Sequence, residues 1–304
     1  MALITRQPST TPPGGRVVIF GPPNTLKTTS SLSWPKGEHR GRTGALHHVS
    51  LPGEQGWETV PGTEDPHLRQ YVWQFDEVTK ASPHAVVREV ESEVFKVASG
   101  ANGPVLSLVV EGIHKMYDWY FRRAFINLQG TKAYQESGGD DEKITGRAYG
   151  QAHDDIELFL TRILSAPVPY ILLTSWEGES KDDPKNKRKD APTHTLPELP
   201  GKMARRLTGM VSVTMFSKTE PGPVGKARGV WILKQHGDTL GRVGGVGVKM
   251  DPTLVENIPS VLKALGADGK PAWRALTFAD LEPYLLGEKK AGPEPRPALP
   301  SSTK

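Results

Sequence analysis

The sequence predicts an α/β fold in which a central, mostly parallel β-sheet is flanked by helices. Apolar runs of strand length alternate along the chain with segments of helical periodicity, an arrangement typical of parallel sheets covered by helices. The runs at 106–110 and 170–173 are apolar almost without interruption, which indicates strands buried on both faces. With 304 residues, the chain is long enough to bury a sizeable core.

The strands and helices are predicted from local patterns along the chain. A helix begins at Pro83, because Ser82 is a suitable N-cap and proline is favoured at the first helical position. Its apolar face recurs at Val86, Val90, Val94 and Val97. A later helix ends before Pro167 and carries an apolar stripe at Ile156, Phe159, Leu160, Ile163 and Leu164. Strands are expected at 16–20, 45–50, 71–75, 105–110, 168–174, 211–216 and 229–234.

Composition predicts the domain organisation and excludes several classes of protein. Residues 1–15 and 287–304 have the polar, proline-rich composition of disordered segments, so we expect an ordered core at 16–250 and a C-terminal extension at 251–286. No run approaches the roughly 18 apolar residues of a membrane span. The absence of cysteine excludes disulfides, thiol nucleophiles and cysteine zinc sites. Since the N-terminus lacks the apolar core of a secretory signal, the expected location is the cytoplasm.

The turn after the first strand has the pattern of a phosphate-binding P-loop, G-x-x-x-x-G-K-S/T. In such a loop, backbone N–H groups wrap the phosphates, the lysine reaches the β and γ oxygens, and the hydroxyl binds Mg²⁺. Gly21, Lys27 and Thr28 match, but Leu26 replaces the second glycine, and its Cβ can crowd the phosphate or strain the turn. The alternative is a proline-rich surface turn with a coincidental lysine. With ATP and Mg²⁺ as cofactors, the predicted nucleotide-binding residues are Gly21, Pro22, Pro23, Asn24, Thr25, Leu26, Lys27, Thr28 and Thr29.

Carboxylates follow two further predicted strands. Glu111 comes directly after one of them, where P-loop ATPases carry an acidic residue that holds Mg²⁺ through water. Thr28 and Glu111 are therefore the predicted metal-binding residues, although a carboxylate at a strand end is also common on any protein surface. Glu54 follows the second strand. His47 and His48 are adjacent on that strand, so they face opposite sides and are interpreted as structural residues.

The order of five segments resembles the phage-type RecA-like ATP-binding proteins, a group that includes single-strand annealing recombinases. The segments are GPPNTLKTT, LPGEQG, VVEG, YILLTSWEGE and LPELPGKMARRL, and the resemblance covers residues 16–242. The resemblance implies a RecA-like P-loop fold and ATP hydrolysis. It also implies action on single-stranded DNA as a homo-oligomer, either a ring or a filament.

The resemblance also assigns catalytic roles to single residues. Glu54 corresponds to the catalytic glutamate that orients the attacking water. Lys27 corresponds to the P-loop lysine that neutralises phosphate charge. In RecA-like filaments a basic residue reaches the γ-phosphate of the neighbouring subunit, and Arg242 or Lys234 corresponds to it. The alternative for these two cations is a hairpin with surface charges.

The resemblance places a sensor and a DNA contact after the strand at 168–174. Ser175 or Glu177 corresponds to the polar sensor of the γ-phosphate. The charged segment that follows lies where RecA-like proteins place a mobile DNA-binding loop, and its cations suit the phosphates of a single strand. The predicted DNA-binding residues are Lys185, Lys187, Arg188, Lys189, Lys202, Arg205 and Arg206. Because three aspartates partly cancel this charge, a solvated loop without a ligand is the alternative.

These observations predict an Mg-ATP-binding protein of phage DNA recombination or replication that acts on single-stranded DNA. Two alternatives belong to other classes. A degenerate P-loop retained as an assembly scaffold is suggested by Leu26 and by the glutamate, rather than aspartate, at position 111. A small-molecule kinase should carry a lid with several arginines near the phosphates, which is not evident in the sequence.

Overall fold

The computed structural model describes residues 15–54, 64–73, 78, 80–136, 138–181, 193–199, 203–223, 225–233, 258–259, 261–286 and 288–289. The strands are β1 (Arg16–Phe20), β2 (Gly37–His39), β3 (Arg42–Ser50), β4 (Leu68–Tyr71), β5 (Val105–Glu111), β6 (Tyr170–Ser175), β7 (Glu177–Lys181), β8 (Thr193–Pro197), β9 (Val213–Pro221), β10 (Ala227–Leu233) and β11 (Val261–Lys263). The helices are α1 (Lys27–Ser31), α2 (Pro83–Ala98), α3 (Ile113–Gln129), α4 (Lys132–Glu136), α5 (Asp141–Leu164), α6 (Met203–Met210) and α7 (Phe278–Leu285).

Nine of these strands form one sheet in the order β11-β10-β9-β1-β6-β5-β3-β2, with β4 also paired to β3. The five pairings among β1, β3, β4, β5, β6 and β9 are parallel, whereas β2, β10 and β11 pair antiparallel with their neighbours. Helices cover the sheet, so the predicted α/β fold with a mostly parallel sheet is confirmed. Strands β7 and β8 form a separate hairpin, hereafter the β7–β8 hairpin.

Most of the predicted strands correspond to observed strands with shifted ends. Of the strand expected at 71–75, Tyr71 lies in β4, Val72 and Trp73 do not, and residues 74 and 75 lie outside the described residues. The chain pairs with β3 from Leu68 to Tyr71, where Leu68 is buried opposite Leu46. Val72, which follows, is 40% exposed and outside the ladder. The aromatic and apolar run that suggested the strand therefore begins where the pairing ends.

Each face of the sheet has its own apolar core. Val18 and Val17, neighbours on β1, point into different cores because side chains alternate along a strand. The core around Val18 includes residues of α2, α3, α5 and α6. Helix α2 begins as predicted, since the Ser82 side chain accepts a hydrogen bond from the backbone N–H of Ala85 at 3.3 Å.

The second face is covered largely by the C-terminal part of the chain. Strand β11 extends the sheet beside β10. Phe278 of α7 packs against Trp34, with ring centroids 5.1 Å apart, and both side chains are buried. Residues 258–286 thus contribute to the same core as β1. Among the described residues, no helix combines the length and apolar character that crossing a bilayer requires.

The carboxyl ends of four parallel strands meet at one edge of the sheet. In the strand register, Phe20 of β1 lies opposite Ser175 of β6, and Ser50 of β3 lies opposite Glu111 of β5. Ligands of open α/β sheets bind at this edge, because the loops after the strands converge there. The register therefore brings together the turn after Phe20, Ser175 and the two carboxylate-bearing segments.

Candidate functional site

The turn after β1 is a tight loop whose first glycine cannot be replaced without movement. A Cβ at Gly21 would lie 2.2 Å from the backbone oxygen of Ser217 on β9. The Ser217 hydroxyl donates a hydrogen bond to the Thr25 oxygen at 2.9 Å, which holds the loop against the sheet. Within the loop, the Thr25 hydroxyl donates to the Pro22 oxygen at 2.9 Å. The loop is thus fixed at both ends before α1 begins.

Leu26 occupies the position where the P-loop pattern has its second glycine, and its backbone is left-handed, with φ 62° and ψ 21°. Glycine adopts this conformation freely, whereas a side chain with a Cβ is destabilised by roughly 1–2 kcal/mol. Leu26 is half-buried and immediately precedes α1. The loop therefore keeps the glycine-type backbone although the residue is leucine, which is the strain that the sequence suggested.

Lys27 is buried and folds over its own loop. Its Nζ donates hydrogen bonds to the backbone oxygens of Gly21 at 2.9 Å and Pro22 at 2.6 Å, and to the Thr25 hydroxyl at 3.2 Å. Burial lowers the pKa of Lys27 to about 8, and nearby carboxylates, led by that of Glu54, oppose the shift. The ammonium group is thus held at the centre of the loop, ready to exchange carbonyl contacts for those of an anion.

Thr28 and Glu111, the two predicted metal ligands, are in direct contact. The Thr28 hydroxyl donates a hydrogen bond to Oε1 of Glu111. Burial acts to raise the pKa of Glu111, but the neighbouring His48 imidazole and the hydrogen bond from the Thr28 hydroxyl outweigh it and hold this pKa below the usual range. His48 Nε2 is 3.1 Å from Glu111 Oε2. The hydrogen bond of that nitrogen joins the Ser31 hydroxyl, so Oε2 has no well-directed hydrogen bond among the described residues.

The Thr28–Glu111 pair fits a magnesium ion. Mg²⁺ prefers oxygen ligands, keeps several waters and is commonly bound through one or two carboxylates together with substrate phosphates. An ionised, buried carboxylate with one free oxygen, beside a hydroxyl, supplies that donor set. No cluster of three or more His, Cys, Asp or Glu side chains with metal-binding geometry occurs in the described part of the chain.

Glu54 reaches the same edge from the turn after β3. The turn is closed by a hydrogen bond from the Glu54 N–H to the Leu51 oxygen at 3.0 Å. The side chain lies directly over Gly112, where a Cβ would come within 2.2 Å of Glu54 Cγ. Burial, followed by the charge of Glu111, raises the pKa of Glu54 to about 7, although Lys115 and Lys27 act in the opposite direction. A carboxylate with a pKa near 7 is well suited to act as a general base at neutral pH.

The two candidate sensors lie in different environments. Ser175 is buried at the end of β6, between the P-loop strand and the strand that carries Glu111. Glu177, which begins β7, is exposed, although its charge acts to raise the pKa of Lys27. The structure therefore brings Ser175 into the site and leaves Glu177 at its margin.

Several buried polar atoms at this edge have no hydrogen-bond partner among the described residues. They include Oγ of Ser50, Oε1 of Glu54, Oε2 of Glu111, Nε2 of His114 and Oγ of Ser175. Burying a polar group without a partner costs about 1–3 kcal/mol, so such atoms are rare in protein interiors and mark places where a polar ligand fits. Their concentration around the P-loop indicates a site built for a polar ligand.

Two histidines in the site were not identified as functional from the sequence. His48 contacts Glu111, as described above, whereas His47 on the opposite side is hydrogen-bonded to the Tyr71 hydroxyl at 2.9 Å and is structural as expected. His114, in the first turn of α3, lies 3.4 Å from Glu54 through its Nε2 atom. The sequence feature that could have identified His114 as a site residue is its position three residues after Glu111.

The remaining predicted residues are less informative. Arg205 is half-buried on α6, and Arg206 is exposed and forms an ion pair with Glu157 of α5. The other predicted DNA contacts and the two candidate trans cations lie outside the described residues, namely Lys185, Lys187, Arg188, Lys189, Lys202, Lys234 and Arg242.

Comparisons with known proteins identify the family to which the chain belongs. A family model described as an AAA domain matches residues 14–237, and no curated protein matches the chain. A KaiC-like protein from Pyrococcus horikoshii is 13% identical with a TM-score of 0.39, over 75% of this chain and 82% of its own. The flagellar accessory protein FlaH from Methanocaldococcus jannaschii is 12% identical with a TM-score of 0.37, over 84% and 92%. With the family model covering most of the sheet and the whole P-loop site, the chain belongs to the AAA domain family.

Proposed function

We propose that this protein binds Mg-ATP in the turn after β1 and hydrolyses it. The observation that carries the proposal is the convergence of Lys27, the Thr28–Glu111 pair and Glu54 on one edge of the sheet, with unpartnered buried polar atoms among them. Membership of the AAA domain family supports nucleotide and Mg²⁺ use.

Each residue has a separate task in this reaction. Lys27 and the loop N–H groups bind the phosphates, and Thr28 and Glu111 would hold Mg²⁺, which neutralises phosphate charge when bound. Glu54 orients a water molecule toward the γ-phosphorus and accepts its proton. The water oxygen forms the new bond to phosphorus as the bond to the β,γ-bridging oxygen breaks, which yields ADP and inorganic phosphate. The Lys27 Nζ atom must leave its three contacts in the loop to reach the phosphates.

For the biological role, we propose action on single-stranded DNA in phage recombination or replication, as a ring or filament. The support is the resemblance in motif order together with the position of the β7–β8 hairpin. This hairpin begins two residues after Ser175, and its two strands flank the basic segment that contains Lys185 to Lys189. A polynucleotide bound by that segment would be connected to the nucleotide site through β7, the strand that begins just after Ser175. Arg242 is the proposed trans cation from a neighbouring subunit.

A non-catalytic scaffold remains the second candidate. Two observations favour it: the leucine in left-handed conformation at position 26, and the complete engagement of Lys27 by its own loop. In that case the P-loop would not hydrolyse ATP, whether or not it binds the nucleotide.

ATP turnover with and without single-stranded DNA tests these proposals. Lys27→Ala should weaken ATP binding by about tenfold or more, because a charge-assisted contact to phosphate is lost. Lys132→Ala is the matched control, since the Lys132 side chain is 87% exposed on α4. If the parent protein turns over ATP and the Lys27→Ala variant does not, the ATPase proposal is supported. If the parent binds ATP without turning it over, the scaffold is supported. If the turnover rate is the same with and without single-stranded DNA, the DNA role is contradicted.

A further inference from the structure

His114 lies between two carboxylates that belong to different parts of the site. It is 4% exposed, in the first turn of α3. Its Nε2 atom is 3.4 Å from Oε1 of Glu54 and 3.9 Å from Oε2 of Glu198. Glu54 follows β3, whereas Glu198 follows β8 and is half exposed. One imidazole nitrogen is therefore within reach of both the proposed base and the β7–β8 hairpin.

The other ring nitrogen determines where the proton of His114 lies. The backbone N–H of Trp176 donates to His114 Nδ1 at 3.4 Å. Because a backbone amide nitrogen is only a donor, Nδ1 is the acceptor, and in the neutral ring the proton is then on Nε2. Burial, together with the charges of Lys115 and Lys27, lowers the pKa of His114 to about 3, so the ring is neutral. His114 thus has a single N–H to offer to two carboxylates.

The contact between His114 and Glu54 is close but not yet formed. Neither Nε2 of His114 nor Oε1 of Glu54 has a well-directed hydrogen bond, although the atoms are 3.4 Å apart. Catalytic hydrogen bonds are often long before ligand binding and tighten in the complex. A small rotation of either side chain would direct the Nε2–H to one carboxylate or to the other.

The hairpin is mechanically connected to this choice. The backbone N–H of Glu198 donates to the Trp176 oxygen at 2.8 Å, so the two ends of the hairpin are tied together beside His114. The Trp176 ring also packs on His114, with centroids 4.8 Å apart. A cavity of about 340 Å³ opens on the same side and is lined by His114, Tyr117, Asp118, Leu196 and Glu198, among others. Movement of the hairpin therefore changes the position of Glu198 and of Trp176 relative to His114.

We propose that His114 is a positioning residue that donates a hydrogen bond from its Nε2–H to Glu54 or to Glu198, and so couples the β7–β8 hairpin to the catalytic glutamate. The proposal rests on the proposed function, in which Glu54 is the base. When His114 donates to Glu54, the ionised carboxylate is stabilised and held toward the attacking water. When the Nε2–H of His114 is hydrogen-bonded to Glu198, the ionised carboxylate of Glu54 is no longer stabilised by it.

The predicted consequence is a pair of opposite changes in the pH dependence of turnover. The charged groups that act on Glu54 are Glu111, Lys115, Lys27 and Glu198. Loss of the His114 donor should raise the pKa of Glu54 and move the acidic limb of the pH–rate profile upward by about one pH unit, since a hydrogen bond stabilises the charged form. Removal of the Glu198 charge should move the same limb downward, because that charge raises the pKa of Glu54.

The test compares three substitutions in the full chain. His114→Gln keeps an amide donor near the Nε2 position, whereas His114→Asn is shorter and retains only the polar group near Nδ1. Glu198→Gln removes the competing charge. His84→Asn, at an exposed position on α2, controls for the substitution itself. Turnover at saturating ATP is measured from pH 5.5 to 9, with ATP affinity and thermal unfolding as independent readouts.

We expect His114→Asn to move the acidic limb upward with unchanged ATP affinity, His114→Gln to restore it, and Glu198→Gln to move it downward. The effect of Glu198→Gln should shrink in the double variant with His114→Asn, since neighbours that share a partner are not additive. A limb in His114→Asn that coincides with that of the parent would overturn the proposal. If His114→Asn does not fold, His114→Ala takes its place in the single and the double variant, because a downward shift in Glu198→Gln alone also follows from the loss of its charge. If Glu54→Gln keeps parental turnover, the proposed function itself fails; if it abolishes turnover while the His114 variants behave as the parent, only the coupling fails.

Discussion

Replacing Glu54 by glutamine should abolish ATP turnover and at the same time stabilise the fold above pH 7. The amide has the shape of the carboxylate but cannot accept the proton of the attacking water. The Glu54 side chain is 11% exposed, and burial beside Glu111 raises its pKa from an ordinary 4.5 to about 7. At 1.36 kcal/mol per pKa unit, the ionised carboxylate destabilises the folded state by about 3 kcal/mol.

The sign of this effect fixes its pH window. Because the folded-state pKa is raised, the favourable state of Glu54 is the protonated one, which is fully present below pH 4.5 and lost as the pH rises through about 7. Glutamine does not titrate. The variant should therefore be as stable as the parent near pH 4, gain stability between pH 4.5 and 7, and be more stable by about 3 kcal/mol at pH 8.

Urea unfolding of the nucleotide-free protein at pH 5 and pH 8 measures the difference, with ATP turnover measured in parallel. Glu136→Gln is the matched control, because the Glu136 side chain is 64% exposed on α4. An equal change in the free energy of unfolding at both pH values would show that the ionised form of Glu54 is not destabilised by burial. Parental turnover would show that Glu54 is not the base.

Three further predictions concern Leu26, Gly112 and the basic segment between β7 and β8. Leu26→Gly should be more stable to urea than Leu26→Ala by about 1 kcal/mol, since only the glycine variant removes the Cβ from the left-handed position, and equal stabilities would contradict the strain. Gly112→Ala should abolish turnover, because the added Cβ displaces the Glu54 side chain. Gly146→Ala is the control on α5, where an added Cβ contacts nothing, and it should leave turnover unchanged. Full activity of Gly112→Ala would disprove the placement of Glu54. When alanine replaces Lys185, Lys187, Arg188 and Lys189, the affinity for single-stranded DNA, measured by anisotropy at several salt concentrations, should fall. The slope of log affinity against log salt should decrease by about 0.7 for each phosphate contact removed, and the ATP affinity should not change.

The P-loop strand and the acidic strand were predictable because both signals are local. Continuous apolar runs identify strands buried on both faces; the loop that carries Lys27 begins directly after one such run, and Glu111 ends another. Since parallel strands expose their carboxyl ends at one edge, the sequence also predicts that these residues approach each other. Glu54 was found from motif order alone, and the structure adds the reason for its position, the space above Gly112.

The histidines of the site could not be predicted in the same way. His48 was interpreted as structural because its contact with Glu111 depends on the pairing of β3 with β5, which brings together residues 63 positions apart in the sequence. His114 meets Glu54 only because Gly112, with φ 83°, redirects the chain from β5 into α3. Neither contact leaves a spacing pattern in the sequence. The same holds for β11, a three-residue strand that is recognisable only once β10 is in place.

The site concentrates unfavourable terms in one place, and this distinguishes the two candidate functions. A leucine in left-handed conformation, a carboxylate with a pKa near 7 and several unpartnered buried polar atoms all lie at the same sheet edge. A scaffold that only binds nucleotide gains nothing from an ionisable Glu54, so Glu54→Gln would there be more stable above pH 7 and assemble as the parent does. For an ATPase the same substitution exchanges stability for activity, since the group that destabilises the fold is the group that accepts the proton. The gain in stability at pH 8 is expected for both functions, so the loss of ATP turnover relative to the parent is the result that separates them, without reference to DNA.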